Sequence, residues 1–337
     1  MYYIQSNSTD PYYNLALEQY VFDCLDRSCS YFMLWQNNNT IVVGKHQNTI
    51  AEINTAYVKE KGITVVRRLS GGGAVYHDLG NLCFTFITDD NEGSHFDFSL
   101  FCKPVARALA TMGVEVEISG RNDMTIDGKK FSGNAQYMKK GRIMHHGTIM
   151  FDSDLQLVAN ALQVSKDKIE SKGIKSVKSR VTNIKPYLRK DISVIEFRDA
   201  LRDFMFREND MQTYVLAQEE EQAVRKLRDE VYRRWEWNYG ASPAYTIQKS
   251  RRVEGCGKLE IYIDVTKKGI IENISFFGDY FGNGDTKEIS AKLKGCCFED
   301  DSMRSALTGV DIGWYFNGLT MEGFLSILGQ GGHYAKT

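Results

Sequence analysis

The most informative run in the sequence is Arg67-Arg68-Leu69-Ser70-Gly71-Gly72-Gly73-Ala74-Val75-Tyr76-His77-Asp78. Three consecutive glycines permit backbone conformations that a side chain forbids, and their successive N–H groups can surround an anion. The guanidinium of Arg68 adds a planar set of donors for a carboxylate or a phosphate. A tight turn between two strands is the structural alternative for the glycines alone. The polar residues on both sides favour a loop that binds an anionic ligand, because such a cluster is costly to order without one.

This loop differs from two common nucleotide-binding loops. No Lys-Ser or Lys-Thr pair follows Gly73, so the segment is not a Walker A loop. An alternating segment follows where a dinucleotide-binding fingerprint would begin a helix. The flanking residues Ile63–Arg67 and Leu82–Thr88 are rich in β-branched and aromatic side chains, and they predict strands on both sides of the loop.

Helix and turn signals extend the prediction outward. Asp10-Pro11 predicts a helix N-cap followed by proline at the first helical position. Asp127-Gly128 predicts the type I′ turn of a hairpin, and Ser193 with Glu196 predicts a capping box. A charged helix is predicted over residues 219–235, and its expected buried side consists of Val224, Leu227, Val231 and Trp235.

A break in regular structure at residues 239–245 (YGASPAY) separates two predicted domains. Its Gly, Ser and Pro residues are typical of a connector, and short strands followed by helical patterns come after it. We expect a catalytic domain over residues 1–247 and a small α/β accessory domain over residues 248–337. The first domain is predicted to be α+β, with mixed β-sheets packed with helices.

Composition excludes several classes of function. The 337 residues carry a formal net charge of −1, which gives no overall field toward nucleic acid or an anionic membrane. No apolar run approaches the roughly 18 residues that a membrane span needs, and the N-terminus has no signal-peptide pattern. The seven cysteines have no CxxC spacing, so we expect neither a zinc site nor a disulfide framework, and we expect a cytoplasmic location.

Six segments, in one order along the chain, resemble the lipoate–protein ligase A family of the biotin/lipoate A/B protein ligase fold group. RRLSGGGAVYHDLGN at 67–81 resembles its lipoate-binding loop, and WEWN at 235–238 resembles its WxWN motif. The other four segments are SGRND at 119–123, KKFSGNA at 129–135, HHGT at 145–148 and KSRVTN at 178–183. The resemblance covers residues 10–245 and is vaguer beyond them.

This resemblance implies a biotin/lipoyl ligase-like large domain and an ATP-dependent reaction. Lipoate and ATP, with Mg²⁺, would form lipoyl-AMP and pyrophosphate, and the lipoyl group would then pass to a lysine of an acceptor protein. The acceptors implied are the lipoyl domains of 2-oxo-acid dehydrogenase complexes and the glycine-cleavage H protein.

The resemblance also implies the site residues. Lys130 is the expected catalytic residue, because an ammonium group between the carboxylate and the α-phosphate would stabilise the transition state; an exposed surface lysine is the alternative. Asp123 is the expected Mg²⁺ ligand, or else it caps a turn. The remaining lipoate- and ATP-binding residues are expected to be Arg68, Ser70, Gly71, Gly72, Gly73, Ala74, Val75, Tyr76, His77, Asn122, Ser132, Gly133, Ala135, His146, Gly147 and Thr148. The adenylate loop is expected to contribute Lys178, Arg180, Thr182 and Asn183.

Structural roles remain open for several of these residues. Core packing is the alternative for Val75, and hydrogen bonding that braces the loop is the alternative for His77. The basic segment 165–190 is otherwise typical of a solvated surface.

Other functions also remain open. An ATP-independent octanoyl- or lipoyl-transferase of the same fold group needs a cysteine that forms a thioester. Cys83 and Cys102 are the cysteines near the main motifs, and Cys83 lies in a predicted core strand. A biotin ligase is disfavoured, because the sequence has no GRGRxG-type loop. A non-enzymatic binder of lipoate or nucleotide is a third class, against which the presence of Lys130 and of the complete basic loop argues.

Overall fold

The computed structural model describes residues 1–89, 97–119, 122–162, 180–239, 247–266, 269–329 and 333–334. The chain divides into two compact units: the first comprises residues 1–43, 49–69 and 74–239, and the second comprises residues 44–48, 70–73 and 240–337. Of the predicted connector, only Tyr239 lies within the described residues. None of the described helices is both long enough and apolar enough to cross a membrane.

The first unit contains strands and helices in a mixed order. Its strands are β1 (Tyr2–Gln5), β2 (Tyr31–Trp35), β3 (Thr40–Val43), β4 (Thr64–Arg67), β5 (Val75–His77), β6 (Asn81–Asp89), β7 (Glu117–Ser119), β8 (Asp123–Ile126), β9 (Lys129–Lys139), β10 (Arg142–Met150) and β11 (Gln212–Thr213). Its helices are α1 (Pro11–Cys24), α2 (Thr49–Glu52), α3 (Thr55–Glu60), α4 (Phe98–Thr111), α5 (Leu155–Ala161), α6 (Val194–Asn209), α7 (Gln218–Leu227) and α8 (Trp235–Asn238), with a 3-10 turn at Lys185–Tyr187 and a π-helical turn at Arg228–Tyr232.

A large mixed sheet forms the centre of this unit. Its strand order is β11-β1-β2-β6-β10-β9-β8-β7, in which β1 runs parallel to β2 and β11 and the other neighbours are antiparallel. A second sheet has the order β4-β3-β5, with β3 parallel to β4. The expected α+β fold with mixed sheets is confirmed.

Both faces of the large sheet are buried, which explains the continuous apolar run in β6. Leu82, Phe84 and Phe86 face a cluster built on α4 and α6, whereas Cys83 and Ile87 face a cluster built on α1. Successive side chains of a strand point to opposite faces, so a strand covered on both sides is apolar throughout. Burying one such phenylalanine contributes about 1.5–3 kcal/mol.

The local signals in the sequence are confirmed where the structure describes them. The Asp10 side chain accepts a hydrogen bond from the Tyr12 N–H at 2.9 Å, and Pro11 begins α1. Ser193 and Glu196 form the predicted capping box. Asp127 and Gly128 have φ values of 50° and 70°, as a type I′ turn requires.

The segment 219–235 is helical to Tyr232, and Leu227 and Val231 pack against the cluster built on α1 as expected, but the prediction is wrong for Trp235. Helix α7 ends at Leu227, and the π-helical turn follows it. A π turn takes in more residues than an α turn, so the side chains after it rotate away from the face that 3.6-residue spacing predicts. Tyr232 is consequently buried and Trp235 is 57% exposed, although Val224 is buried as expected.

The second unit contains an antiparallel sheet with the order β14-β13-β12-β15. Its strands and helices are β12 (Ile247–Val253), β13 (Gly257–Val265), β14 (Ile271–Gly278), β15 (His333–Tyr334), α9 (Thr286–Leu293), α10 (Asp300–Ala306), α11 (Ile312–Tyr315) and α12 (Met321–Gly329). Its core joins alternate residues of β13, such as Ile261, to Ile289 of α9 and Phe324 of α12. The alternation in β13 is therefore that of a strand with one covered face.

Candidate active site

Strand register places a row of small side chains across the large sheet. Cys83 of β6 lies opposite Trp35 of β2 on one side and opposite Thr148 of β10 on the other. The amide nitrogen of Gly133, on β9, lies 3.3 Å from Thr148 Oγ1, which continues the row by one strand. Trp35 and Cys83 pack with α1, so these side chains lie on the α1 face. This small-residue row consists of Cys83, Thr148 and Gly133, and Trp35 closes it at one end. From Trp35 to Gly133 the distance is three strand spacings, about 14 Å.

Lys130 brings an ammonium group to one end of the small-residue row. A Cβ atom on Gly133 would lie 2.9 Å from Lys130 Nζ, so the lysine folds over the place where Gly133 has no side chain. Nζ pairs with Oδ1 of Asp123 at 2.6 Å, and the two side chains are 37% and 32% exposed. Because a solvent-exposed pair is weakly held, an incoming anion can compete with Asp123 for the ammonium.

Residues 181–183 of the predicted adenylate loop lie at the same end. Val181 forms a parallel bridge with Lys130, and the Thr182 N–H donates to the Lys130 carbonyl at 2.9 Å. The Asn183 amide instead accepts from the Ser153 N–H at 3.0 Å and donates to the Ser153 carbonyl at 2.9 Å. Thr182 is thus beside Lys130, whereas Asn183 fixes the chain that follows β10. Half-buried Arg180 precedes them, and the predicted contact Lys178 lies outside the described residues.

His146 and Glu18 form a buried polar pair beside the small-residue row. His146 lies opposite Thr85 of β6 and Ala135 of β9. Its Nδ1 is 3.1 and 3.2 Å from the two carboxylate oxygens of Glu18, which is 1% exposed. The Thr85 hydroxyl donates to Glu18 and accepts from the indole N–H of Trp35. A hydrogen-bonded chain therefore runs from His146 to the far end of the row.

Arg68 balances the buried carboxylate of Glu18. A carboxylate away from water is costly unless it is hydrogen-bonded and charge-compensated. Arg68 is itself buried, and its guanidinium donates to the Val42 carbonyl at 3.1 Å. Burial lowers the pKa of Arg68 to about 10, and the negative charge of Glu18 opposes this effect. Arg68 therefore remains charged at neutral pH.

His77 presents a buried N–H near Cys83. Its Nδ1 lies 3.2 Å from the amide nitrogen of Asn37 and 3.6 Å from Cys83 Sγ. Burial, followed by the positive charge of Arg68, lowers the pKa of His77 to about 3, so the ring is neutral at pH 7. Because Asn37 donates to Nδ1, the ring proton lies on Nε2. Nε2 has no hydrogen-bond partner among the described residues, so its N–H is available to donate.

The neighbouring motif residues on the other face of β9 and β10 form a packed scaffold. His145 Nδ1 lies 3.1 Å from the Gln136 amide nitrogen, and His145 Nε2 lies 3.2 Å from Asn134 Oδ1. The ring stacks on Phe101 of α4 with centroids 4.8 Å apart, and burial lowers the pKa of His145 well below its usual value. A Cβ on Gly147 would lie 2.2 Å from Asn134 Oδ1. Gly147 therefore gives the Asn134 amide the room that it needs.

Asn122 and Ser132 extend this scaffold. The Asn122 amide donates to the Asn134 carbonyl at 2.7 Å, and the Asn134 amide donates to the Asn122 carbonyl at 3.1 Å and to Ser132 Oγ at 3.3 Å. These bonds join β9 to the residues immediately before Asp123. Both side chains thus support the Lys130–Asp123 pair through the backbone.

The WEWN segment holds the strand that leads into the glycine loop. Asn238 Oδ1 accepts from the Arg67 N–H at 2.9 Å, and the Trp237 indole donates to the Arg67 carbonyl at 2.9 Å. The Arg67 guanidinium donates to the Trp237 carbonyl at 2.8 Å and to Thr49 Oγ1 at 2.7 Å. The motif therefore orders the backbone one residue before Arg68.

Residues 70–73 of the glycine loop belong to the second unit. There the Gly72 N–H donates to the Tyr280 carbonyl at 3.3 Å, and a Cβ on Gly71 would lie 2.3 Å from the same oxygen. Gly72 has a φ of 90°, in the region that favours glycine. The His46 ring stacks on Tyr280 with centroids 4.3 Å apart. Close backbone approach is thus one reason for glycine here.

The thiols near the motifs are buried. Burial raises the pKa of Cys83 well above its usual value and that of Cys102 to about 12. The thiolate, rather than the thiol, is the nucleophile in thioester chemistry. Neither cysteine is therefore activated at neutral pH.

The structure brings together part of the predicted set. On the α1 face or beside Lys130 it places Asp123, Gly133, Ala135, His146, Thr148 and Thr182. Val75 packs against the hydrophobic cluster built on α1, whereas Ala74 and Tyr76 pack into the core of the smaller sheet. The Tyr76 hydroxyl donates to Asn39 Oδ1 at 3.0 Å. Tyr76, Asn183 and Gly147 thus each have a structural partner within the first unit.

Sequence reasoning missed Glu18 and Trp35, which complete the α1 face of the site. A signal for Glu18 was present, because it is a carboxylate within the apolar helical run NLALEQYVF. Glutamate is almost never fully buried unless it is paired, so its place on a buried stripe points to a partner. The partner His146 is 128 residues away and could not be identified from the sequence.

Comparisons with known proteins show which family the chain resembles. Residues 10–206 match the family model of the lipoyl protein ligase A/B catalytic domain, and residues 242–328 match that of the bacterial lipoate protein ligase C-terminus. The lipoate-protein ligase LplJ of Bacillus subtilis is 48% identical over 96% of this chain and 98% of its own length.

Two solved structures are also similar. LipL1 of P. falciparum, solved in complex with lipoate, is 25% identical with a TM-score of 0.77 over 96% of this chain and 98% of its own. The bi-partite lipoate protein ligase of Thermoplasma acidophilum, analysed with its E2 lipoyl domain, is 26% identical with a TM-score of 0.63. The match covers 72% of this chain and 97% of that one.

Proposed function

The chain belongs to the lipoate–protein ligase family and is an enzyme of the ligase class, and from this premise we propose how its first unit activates lipoate. In the first step a lipoate carboxylate oxygen attacks the α-phosphorus of ATP and pyrophosphate leaves. In the second step the amine of an acceptor lysine attacks the acyl carbon and AMP leaves. The observation that carries the proposal is the Lys130 ammonium over Gly133, at one end of the small-residue row.

Lys130 has the chemistry that the first step requires. Two anionic groups must approach each other, and they repel until a cation lies between them. The lipoate carboxylate would replace Asp123 as the partner of Lys130 Nζ, and the α-phosphate would share the same ammonium. The positive charge then acts on the charge that develops in the pentavalent transition state.

The small-residue row is proposed as the floor beneath the lipoyl chain. The short side chains of Thr148 and Cys83, and the absence of one on Gly133, would let the lipoyl chain lie close to the sheet, and Trp35 closes the row at the end away from Lys130. The length of the row suits an eight-carbon acid whose carboxylate is held by Lys130. His146 and the Nε2–H of His77 would border the chain with polar groups. Arg68, Val75 and the glycines of residues 70–73 are retained as proposed binding residues on the strength of the sequence resemblance.

ATP and Mg²⁺ are proposed as the co-substrate and the cofactor. Among the described residues no group of three or more His, Cys, Asp or Glu surrounds a metal position. Mg²⁺ needs one or two protein carboxylates when phosphate oxygens supply further ligands. Asp123 would be that carboxylate once Lys130 binds substrate. Thr182, Arg180 and Lys178 are proposed nucleotide contacts.

We propose a catalytic domain over residues 1–247, an accessory domain over 248–337, and a cytoplasmic location. The match of residues 242–328 to the C-terminal family model supports the division, and the seven free thiols suit a reducing compartment. The proposed acceptors are lipoyl domains of 2-oxo-acid dehydrogenase complexes and the glycine-cleavage H protein. The E2 lipoyl domain of the Thermoplasma relative supports the first of these.

Mixing the purified chain with lipoate, ATP and Mg²⁺ tests the proposal. We expect pyrophosphate release and a lipoyl-AMP species by mass spectrometry, followed by transfer when an unlipoylated lipoyl domain is added. A transferase would instead show an acyl-thioester on the intact protein and no dependence on ATP. The raised pKa of Cys83 argues against that outcome.

A further inference from the structure

Two exposed aliphatic side chains border a groove at one edge of the large sheet. Leu79 is 48% exposed and Ile195, in the first turn of α6, is 44% exposed. Both line a groove of about 390 Å³ that also includes Val194, Trp35 and Arg198. Single exposed aliphatic residues are common on soluble proteins, but two that flank one groove beside an arginine form a patch typical of a protein contact.

Consecutive hydrogen bonds connect this groove to Lys130 along the sheet edge. Each bond is made at the end of a neighbouring strand, from β9 through β10 and β6 to β2. The donor–acceptor pairs are Thr182 N–H to the Lys130 carbonyl, Ile184 N–H to the Met150 carbonyl, Phe151 N–H to the Gly80 carbonyl, and the Gln36 amide to the Leu79 carbonyl. Three strand spacings separate the groove from Lys130, about 14 Å. A standard interface, with about 800 Å² on each partner, spans such a distance.

We propose that the groove between Leu79 and Ile195 docks the acceptor protein during the transfer step, an inference that rests on the proposed function. The acceptor must place a lysine at the acyl carbon near Lys130 while its folded body rests on the adjoining surface. The groove lies on the same edge of the large sheet as Lys130, about 14 Å from it.

The chemistry of the groove defines the partner surface. An aliphatic side chain of a compact domain would enter between Leu79 and Ile195, and a neighbouring carboxylate would pair with Arg198. The Arg198 Nε and Nη2 atoms donate to Asp199 Oδ1 at 3.2 and 3.0 Å, so Nη1 is the donor for that carboxylate. The partner is therefore a folded domain that presents an aliphatic residue beside an acidic one.

The test separates docking from activation. The double variant Leu79→Ser/Ile195→Ser is compared with the wild type and with Leu100→Ser/Val215→Ser, which changes two exposed aliphatic residues outside the groove. We expect the groove variant to raise KM for an unlipoylated E2 lipoyl domain by about tenfold or more, as for the loss of an interface hot spot. Its pyrophosphate release and its transfer to the small amine Nα-acetyl-lysine amide should equal those of the wild type. Arg198→Gln should raise KM and weaken its dependence on salt.

Each other outcome identifies which idea is wrong. Equal KM values for the groove variant and its control would overturn the docking proposal. A groove variant that loses pyrophosphate release would also overturn it, because the groove would then bind a small carboxylate substrate. Failure of the wild type to release pyrophosphate would sink the proposed function instead. If the double variant melts early, Ile195→Ser alone carries the test, since its helix position is exposed.

Discussion

His145 and His146 are adjacent in the sequence and belong to two different regions of the molecule. On the α4 face, His145 has both ring nitrogens within hydrogen-bond distance of side-chain amides, and its ring is stacked on Phe101. On the α1 face, His146 Nδ1 is hydrogen-bonded to the Glu18 carboxylate, and the residue lies beside the small-residue row. Strand alternation alone places one histidine on the scaffold face and its neighbour on the face of the proposed site.

This difference shows that a motif is not a list of ligand contacts. Within HHGT, His146 and Thr148 face the row, whereas His145 and Gly147 fit the Asn134 network behind it. Substitutions on the α1 face should therefore change chemistry and binding, and those on the α4 face should change stability.

The largest effect should follow Lys130→Ala. We expect pyrophosphate release to fall about 10²–10³-fold or more, because a preorganised charge at the reacting groups is lost. The melting temperature should change little, because the ion pair with Asp123 is exposed. Lys129→Ala is the matched control, because Lys129 is the exposed neighbour of Lys130 and takes no part in the ion pair with Asp123. Wild-type rates in Lys130→Ala would falsify its assignment.

The two histidines provide the next test. His145→Asn should lower the free energy of unfolding by about 1–3 kcal/mol, because buried partners such as the Asn134 amide lose a hydrogen bond. His146→Asn keeps a donor close to Nδ1, so its stability should be near that of the wild type while its affinity for lipoate falls. Urea unfolding and calorimetric titration measure the two quantities. If both variants lose the same free energy of unfolding and both keep the wild-type affinity for lipoate, the two faces do not differ in function.

Acid should weaken the fold through His77. Burial lowers its folded pKa to about 3 from 6.5, so between these values the unfolded state binds more protons and stability falls as pH falls. Between pH 7 and pH 5 this contributes a loss of about 2 kcal/mol. We expect His77→Gln to lose less stability than the wild type over that interval, by about this amount. Identical pH profiles from urea titrations would contradict a neutral buried His77.

The smallest effect should come from Cys83→Ala, although Cys83 lies within the small-residue row. Its thiol is buried and its raised pKa keeps it protonated, so it supplies shape rather than charge. We expect transfer rates within a few-fold of the wild type and a destabilisation of about 1 kcal/mol from the lost sulfur. If this variant no longer transfers the lipoyl group from preformed lipoyl-AMP, Cys83 takes part in the chemistry.

Much of the fold could be predicted because its signals are local. The capping box at Ser193, the proline at the start of α1 and the type I′ pair Asp127-Gly128 each depend on residues a few positions apart. The π-helical turn after Leu227 has no such signal, so the exposure of Trp235 was wrongly predicted.

The site could be predicted only in part, because sequence does not state which face a motif residue occupies. Lys130 remains a prediction from the resemblance, and its ion pair with Asp123 was not predicted. The amide of Asn183 is bonded to Ser153, a contact that depends on how the chain returns past β10. The role of Glu18 likewise depends on a histidine brought close only by the sheet.

That separation has a consequence for how the protein is made. Glu18 and His146 are 128 residues apart, and a ribosome adding about 5–20 residues per second needs roughly 6–26 s to cover the interval. Throughout that time the nascent chain holds the glutamate without its histidine, and Thr148 of the small-residue row has not been synthesised. If lipoate binds along the small-residue row as proposed, it can stabilise the first unit only after β10 has left the exit tunnel.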